Sequence, residues 1–102
     1  MSYNGWNNRM TWQVKLWIDN DEGSQSYWLA AATHWKRYYR NYLEPGMDVY
    51  HLSQQLRDEH TEDAYLYLEV AGGWVSDLLQ SALDQVDWYE IAQSLMEEVA
   101  EL

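Results

Sequence analysis

From Arg9 onward, apolar residues recur every three or four positions and are interrupted by short polar or glycine-containing breaks, the spacing of amphipathic helices. Ser2 to Asn8 is polar and reads as an ordered turn pinned by Tyr3 and Trp6, with Asn7 and Asn8 placed to cap a helix over Arg9–Asp19. That segment is ambiguous. Met10, Trp12, Val14 and Leu16 alternate with polar residues as in a strand, yet Met10, Val14, Trp17 and Ile18 form a helical stripe, and helix is the expectation. Asn20 to Ser24 is a turn, with Ser24 a candidate cap for a helix over Gln25–Tyr42 whose inner face is Trp28, Ala31, Ala32, Trp35 and Tyr39 or Tyr42. Glu44-Pro45-Gly46 ends it. Asp48 opens a helix to about Asp58, with Val49, Leu52 and Leu56 inward, and Thr61-Glu62-Asp63 opens another to about Val70. After Gly72-Gly73, the residues Trp74, Val75, Leu78, Leu79, Ala82, Leu83 and Val86 form an apolar face. Asp87 caps a last helix with Glu90 at its third position, a capping-box spacing, and Trp88, Ile91, Ala92, Leu95, Val99 and Leu102 make its stripe.

These elements predict an all-α, compact single domain of five or six short helices over residues 1–102, with the alternative of a short strand near the N-terminus. An apolar content of 47% is ordinary for a globular chain, so the acidity described below does not imply disorder. There are seven Trp and nine Tyr but no Phe, so every aromatic ring carries a polar handle and suits a half-buried or interfacial position. The chain has no cysteine, which excludes disulfides and thiolate metal sites. Its polar N-terminus and short apolar runs predict neither a signal peptide nor a membrane span, and a soluble cytoplasmic protein is the expectation.

Charge changes the picture more than composition does. The 45 residues from Asp58 to Leu102 hold twelve Asp or Glu and no Lys or Arg, whereas the first 57 hold six bases against five acids. With about one residue in eight basic in an average protein, such a base-free run is rare. The net charge of −11 is therefore segregated, and segregated charge bears on steering and partners rather than on fold.

Some of these acids have local structural work. Asp87 and Glu90 belong to a cap, and Glu62 and Asp63 sit in an expected first turn, where the helix dipole favours anions. Glu97, Glu98 and Glu101 lie in the last turns of the final helix, where the dipole disfavours them, and Glu97 and Glu101 form a like-charge pair four residues apart. Asp84, Asp58 and Glu59 fall near the expected ends of their helices. Asp77 and Asp84, seven residues apart, project from one helix face about 10 Å apart. Two antiparallel helices carrying such rows would form a carboxylate array on the scale of a few nucleotides of duplex. The candidate partner-binding residues are thus Asp77, Asp84, Glu97, Glu98, Glu101, Asp58 and Glu59. The alternative is a solvated acidic face that serves solubility.

The one basic cluster, His34 to Tyr42, interleaves bases with aromatics as nucleic-acid binders do. It also sits at an expected helix C-terminus, where bases are locally favoured, and the protein as a whole would repel a polyanion. Direct nucleic-acid binding is not expected; these bases are expected to pair with the acidic half, within the monomer or across a homodimer. His34, His51 and His60 show no metal-ligand spacing, the serines lie in no nucleophile elbow, and Gly72-Gly73 is not a phosphate loop. No catalytic set, metal or cofactor is predicted, and an enzyme is not expected.

Asn4-Gly5-Trp6-Asn7-Asn8-Arg9-Met10-Thr11-Trp12-Gln13-Val14-Lys15-Leu16-Trp17 resembles the opening N-G-W-x-N-x-x-T-W-x-V-x-L-W of an uncharacterised family of small proteins of tailed phages and mobile elements. Asp77-Leu78-Leu79, Ala82-Leu83 and Val86 to Ala92 are similar to its closing part. The resemblance covers about a third of the chain and implies a context, a phage accessory protein, rather than a mechanism. Together with the charge it predicts a small acidic inhibitor of a basic, nucleic-acid-handling host defence protein, of anti-CRISPR or anti-restriction type, acting through a DNA-mimicking carboxylate face. The alternative is a structural or regulatory module whose Trp and Tyr surface mediates self-association or binds a single protein partner.

Overall fold

The computed structural model describes residues 2–99, with side chains throughout that span except at 68–71. The described residues are all-α, with five helices: α1 (Arg9–Asn20), α2 (Glu22–Tyr38), α3 (Met47–Ala71), α4 (Gly73–Asp84) and α5 (Trp88–Glu98). Ahead of α1, Tyr3 and Trp6 exchange backbone hydrogen bonds of 2.6 and 2.8 Å around Asn4 and Gly5. Both turn residues have positive φ, +48° and +87°, the conformation for which Asn-Gly is the preferred pair.

α1 is a helix and not a strand, and the reason lies in which residues it buries. Thr11, Lys15 and Ile18 point inward at helical spacing. Of the residues that alternate as in a strand, Leu16 is exposed; Trp17, expected on the helical stripe, is exposed as well. α2 begins three residues before the expected start because Asp21, not Ser24, is the cap, its carboxylate accepting from Gly23 N at 3.2 Å. It also ends earlier, at Tyr38, where the chain tightens into turns through Arg40 N to Arg37 O and Tyr42 N to Tyr39 O.

The largest departure is α3. The helices expected over 48–58 and 61–70 are one helix of 25 residues, about 37 Å long. Its polar run Asp58–Asp63 contains no Gly or Pro to break it. His60, one turn beyond Leu56, keeps the inner face occupied. Its ring stacks on Trp28 of α2 (centroids 5.4 Å apart, planes at 19°) and lies against Trp88 of α5 (5.2 Å). Nδ1 is 2.7 Å from Leu56 O and, facing a carbonyl, is the protonated nitrogen.

The core is built of Ile18, Trp28, Ala32, Leu52, Leu56, Val86, Ile91, Ala92, Leu95, Met96 and Val99, gathered where α5 packs against α1, α2 and the first half of α3. α4 contributes no buried residue to it. The apolar face expected to turn inward from α4 is largely open to solvent: Trp74 is 73% exposed and Leu78 60%. The cause is topological. Gly72 and Gly73, with φ +58° and +54°, fold α4 back along the second half of α3, and α3 is its main packing neighbour. The two form a hairpin at one end of a molecule measuring 47 × 29 × 28 Å. The stripe position Leu102 lies outside the described residues.

Candidate functional site

The N-terminal motif has a structural explanation in the hydrogen bonds it makes to the start of α5. Asn8 caps α1, its Oδ1 accepting from Thr11 N and from Thr11 Oγ1, both at 2.9 Å, while its Nδ2 donates to Gln85 O at 2.7 Å. The Thr11 hydroxyl, fully buried, also accepts from Asp87 N at 2.8 Å. Asn7 donates through Nδ2 to Asp87 Oδ2 at 2.6 Å and through its backbone to Glu90 Oε1 at 2.9 Å. Asp87 caps α5 as expected, accepting from Glu90 N at 3.0 Å. The reciprocal capping-box bond is replaced: Asp87 N goes to Thr11, and the Glu90 carboxylate turns to Asn7 N. Two segments some eighty residues apart are thus clamped together, and Asp87 and Glu90 belong to the clamp.

The candidate acids fall into different classes once their surroundings are known. Glu98 lies 3.3 Å from the Nζ of Lys15, a buried ammonium that also holds Asp19 at 2.7 Å. Lys36 Nζ donates to Val99 O at 3.1 Å. Two lysines from α1 and α2 therefore cover the C-terminal end of α5, supplying from a distance the positive charge that the local sequence lacks. Glu59 is committed as well. Its Oε1 accepts from Tyr27 OH at 2.6 Å and its Oε2 from Gln55 Nε2 at 2.8 Å, while Gln55 Oε1 accepts from Trp35 Nε1 at 2.8 Å. This chain of bonds ties α2 to α3. The Glu59 carboxylate, the largest influence on Tyr27, together with slight burial, holds that phenol above its ordinary value of 10.0.

Asp58 and Glu59 sit mid-helix rather than at a helix end, so the dipole argument against them does not apply. For the same reason Glu62 and Asp63 lose their expected first-turn role. Asp58 takes Arg57 Nη2 at 3.1 Å on the surface, and Asp84 accepts from Gln80 Nε2 at 3.0 Å. Glu97 lies beside Glu90 and the Gly5-Trp6 turn. Asp77 is exposed on α4. Glu101 lies outside the described residues. Among the described residues the rows of α4 and α5 are not packed side by side, because α3 and not α5 is the main neighbour of α4.

What does come together lies on the two flanks of α4. On the α3 side, Asp58, Glu62 and Asp84 line an open groove with Thr61, Gln80, Trp88 and Arg57, the last paired with Asp58. Two of the candidate acids meet there, joined by Glu62, which the sequence places in a helix first turn and not among the candidates. On the α1 side the groove is apolar, lined by Met10, Val14, Trp17, Leu79, Ala82, Leu83 and Val86 with Gln13 and His60. Trp17, 75% exposed, stands at its rim. Among the described residues no group of three or more His, Asp or Glu is placed to hold a metal ion.

The basic, aromatic segment His34–Tyr42 is largely occupied with itself. Trp35 and Tyr39 each stack on His51 of α3, at 4.9 and 5.2 Å, and Tyr39 OH is hydrogen-bonded to His51 Nδ1. Tyr38 stacks on Tyr42 at 5.9 Å. Lys36 is turned to α5, while Arg37 and Arg40 remain at the surface.

Residues 1–102 match a protein-family model described as a family of unknown function (DUF7249). The chain belongs to that family. Comparison with curated proteins and with solved structures finds no match. In this DUF7249 chain the residues with the most demanding local environments, Asn8, Thr11 and Asp87, hold α1 to α5. On the α3–α4 hairpin Glu62 and Asp77 are exposed, as are Trp74 and Leu78. No helix among the described residues is long and apolar enough to cross a membrane.

Proposed function

We propose that the protein is an inhibitory binding factor whose partner is a basic protein that handles nucleic acid, in a host defence system of restriction or CRISPR type. Its carboxylates occupy surface that otherwise holds phosphates, and it performs no chemistry of its own. The observation that carries this reading is the convergence of Asp58 and Glu62 of α3 with Asp84 of α4 on one open groove, where Arg57, paired with Asp58, is the one base among the lining residues. Asp77, also exposed on α4, adds to the negative surface of the hairpin, and Glu97 is exposed separately on α5 beside the Gly5-Trp6 turn. Glu59 and Glu98 are removed from the docking set because they tie helices together, Glu59 through Tyr27 and Glu98 through the buried Lys15, whereas Asp58 and Asp84 bond only exposed neighbours on their own helices. The N-terminal motif and its resemblance to small phage proteins support the setting, a phage or mobile-element product acting in the host cytoplasm. Charges of this kind steer and orient, while buried aromatic and aliphatic contacts retain the partner.

The test is competition with duplex DNA for purified restriction and CRISPR effectors across a salt series. At least one effector is expected to lose DNA binding, with the effect fading steeply as salt rises. Changing Asp58, Glu62, Asp77, Asp84 and Glu97 together to their amides should weaken competition at least tenfold without loss of helical signal. Equal competition at low and high salt, or by the amide variant, contradicts the reading. A second reading, an interaction module with no link to nucleic-acid handling, is favoured by the exposure of Trp17, Trp74 and Leu78, which electrostatics does not explain. It predicts a partner captured equally well by the amide variant.

A further inference from the structure

From the apolar flank of α4 we infer that the groove between α1 and α4 seats a basic amphipathic helix of the partner protein. This rests on the reading that the protein acts by binding another protein, but it involves a different surface from the carboxylate groove. Asn8 and Thr11 are bonded to Gln85 and Asp87, so the start of α1 meets the end of α4 and the two helices run in opposite senses. Between them lie Met10, Val14 and Trp17 on one wall and Leu79, Ala82 and Val86 on the other. Val75 and Leu78 continue the α4 wall at helical spacing, and both are exposed. The wall from Trp74 to Val86 is about 18 Å long, three turns of helix. Two roughly antiparallel ridges with an apolar floor accept a third helix, whose residues at i, i+3, i+4 and i+7 would cover Trp17, Leu79 and Ala82. With Trp17 and Trp74 both about three-quarters exposed, the open apolar surface is on the order of several hundred Å², the size that marks an interaction site on a soluble protein.

Charge selects the occupant. From Asp58 to Asp84 the hairpin carries seven acids and no base. A second copy presenting the same face would bring acid against acid around an apolar centre, which like-charge repulsion disfavours. A helix with Lys and Arg on its outer face would instead lie in the negative field of the hairpin, above a groove whose own lining holds no Asp, Glu, Lys or Arg.

The experiment uses the full chain and labelled synthetic helices of about 15 residues, long enough for four turns. One has leucines on a single face and lysines on the other; a second has glutamates for the lysines; a third has the first peptide's composition in scrambled order. The lysine peptide is expected to bind at least tenfold more tightly than either control. Trp17→Ala and Leu78→Asn should each weaken it about tenfold, while Leu43→Asn, at a fully exposed position outside the groove, should not. Circular dichroism and thermal melts report whether the variants remain folded; both substitutions are at exposed sites. Equal binding of the glutamate or scrambled peptide overturns the inference, as does no binding at all. So does sedimentation as a dimer that Leu78→Asn dissociates, which would make a second copy the occupant. The groove variants retain every carboxylate and the amide variant retains the groove, so failure here and failure of DNA competition are separately visible.

Discussion

α4 and α5 are nearly the same length, twelve and eleven residues, and each carries an apolar stripe along one side. In α5, Ile91, Ala92, Leu95 and Met96 are buried; in α4 no residue is. α5 enters a trough between α1, α2 and α3, its N-terminus clamped by Asn7 and Thr11 and its C-terminus covered by Lys15 and Lys36. α4 has α3 as its main neighbour and a glycine pair in place of a side-chain cap. Amphipathicity therefore states that a helix has a face to bury, and only tertiary context decides what it is buried against. In α5 that face makes the fold. In α4 it stays largely open to solvent.

The difference can be broken or sharpened by substitution. Leu95→Ala should cost about 2–4 kcal/mol of unfolding free energy, since it removes a fully buried leucine from the core. The matching Leu78→Ala should change stability by less than about 0.5 kcal/mol, the range for exposed sites. Urea unfolding of both variants checks this, and a comparable loss in the two would place α4 within the core and end the distinction. Next in size is Thr11→Val, which deprives Asp87 N of a buried acceptor and Asn8 Oδ1 of a donor; about 1–3 kcal/mol is expected. Asn8→Ala removes the cap of α1 and should cost about 1 kcal/mol by the same measurement.

How much of this was legible in the chain depended on whether a signal was local. The cap at Asp87, the break at Gly72-Gly73 and the turn at Asn4-Gly5 are set by neighbours in sequence, and the structure has them where the sequence predicts. The inner face of α1 is half hidden in the sequence, because two of its three buried residues, Thr11 and Lys15, are polar, and beside their local partners Asn8 and Asp19 each bonds a residue more than seventy positions away. α3 was read as two helices because Asp58–Asp63 looks like a solvated break; the ring of His60 between Trp28 and Trp88 is what that reading lacked. The acids divided for the same reason. The placement of Glu98 depends on Lys15 and that of Glu59 on Tyr27, and neither dependence shows in helix-dipole arguments. Charge segregation was legible; which carboxylates remain available was not.

A smaller effect concerns the tie between α2 and the middle of α3. Because the Tyr27 phenol is held above 10.0 in the folded protein, its contribution is fully present below pH 10 and is lost as pH rises through the raised folded value. Tyr27→Phe should remove that component of alkaline destabilisation, visible as a flatter dependence of Tm on pH above 10. An unchanged alkaline slope would show that the tie to Glu59 does not hold in solution.

The most direct test of the contrast between the two helices is amide hydrogen exchange of the intact protein, read residue by residue with and without the lysine-faced peptide. Amides of α4 should exchange through local opening well before those of α5, whose protection approaches that of global unfolding. Adding the peptide should slow exchange in α4 and along the Met10–Trp17 wall of α1 while leaving α5 unchanged. Protection of α4 equal to that of α5 in the free protein, with no change on adding peptide, would contradict the account.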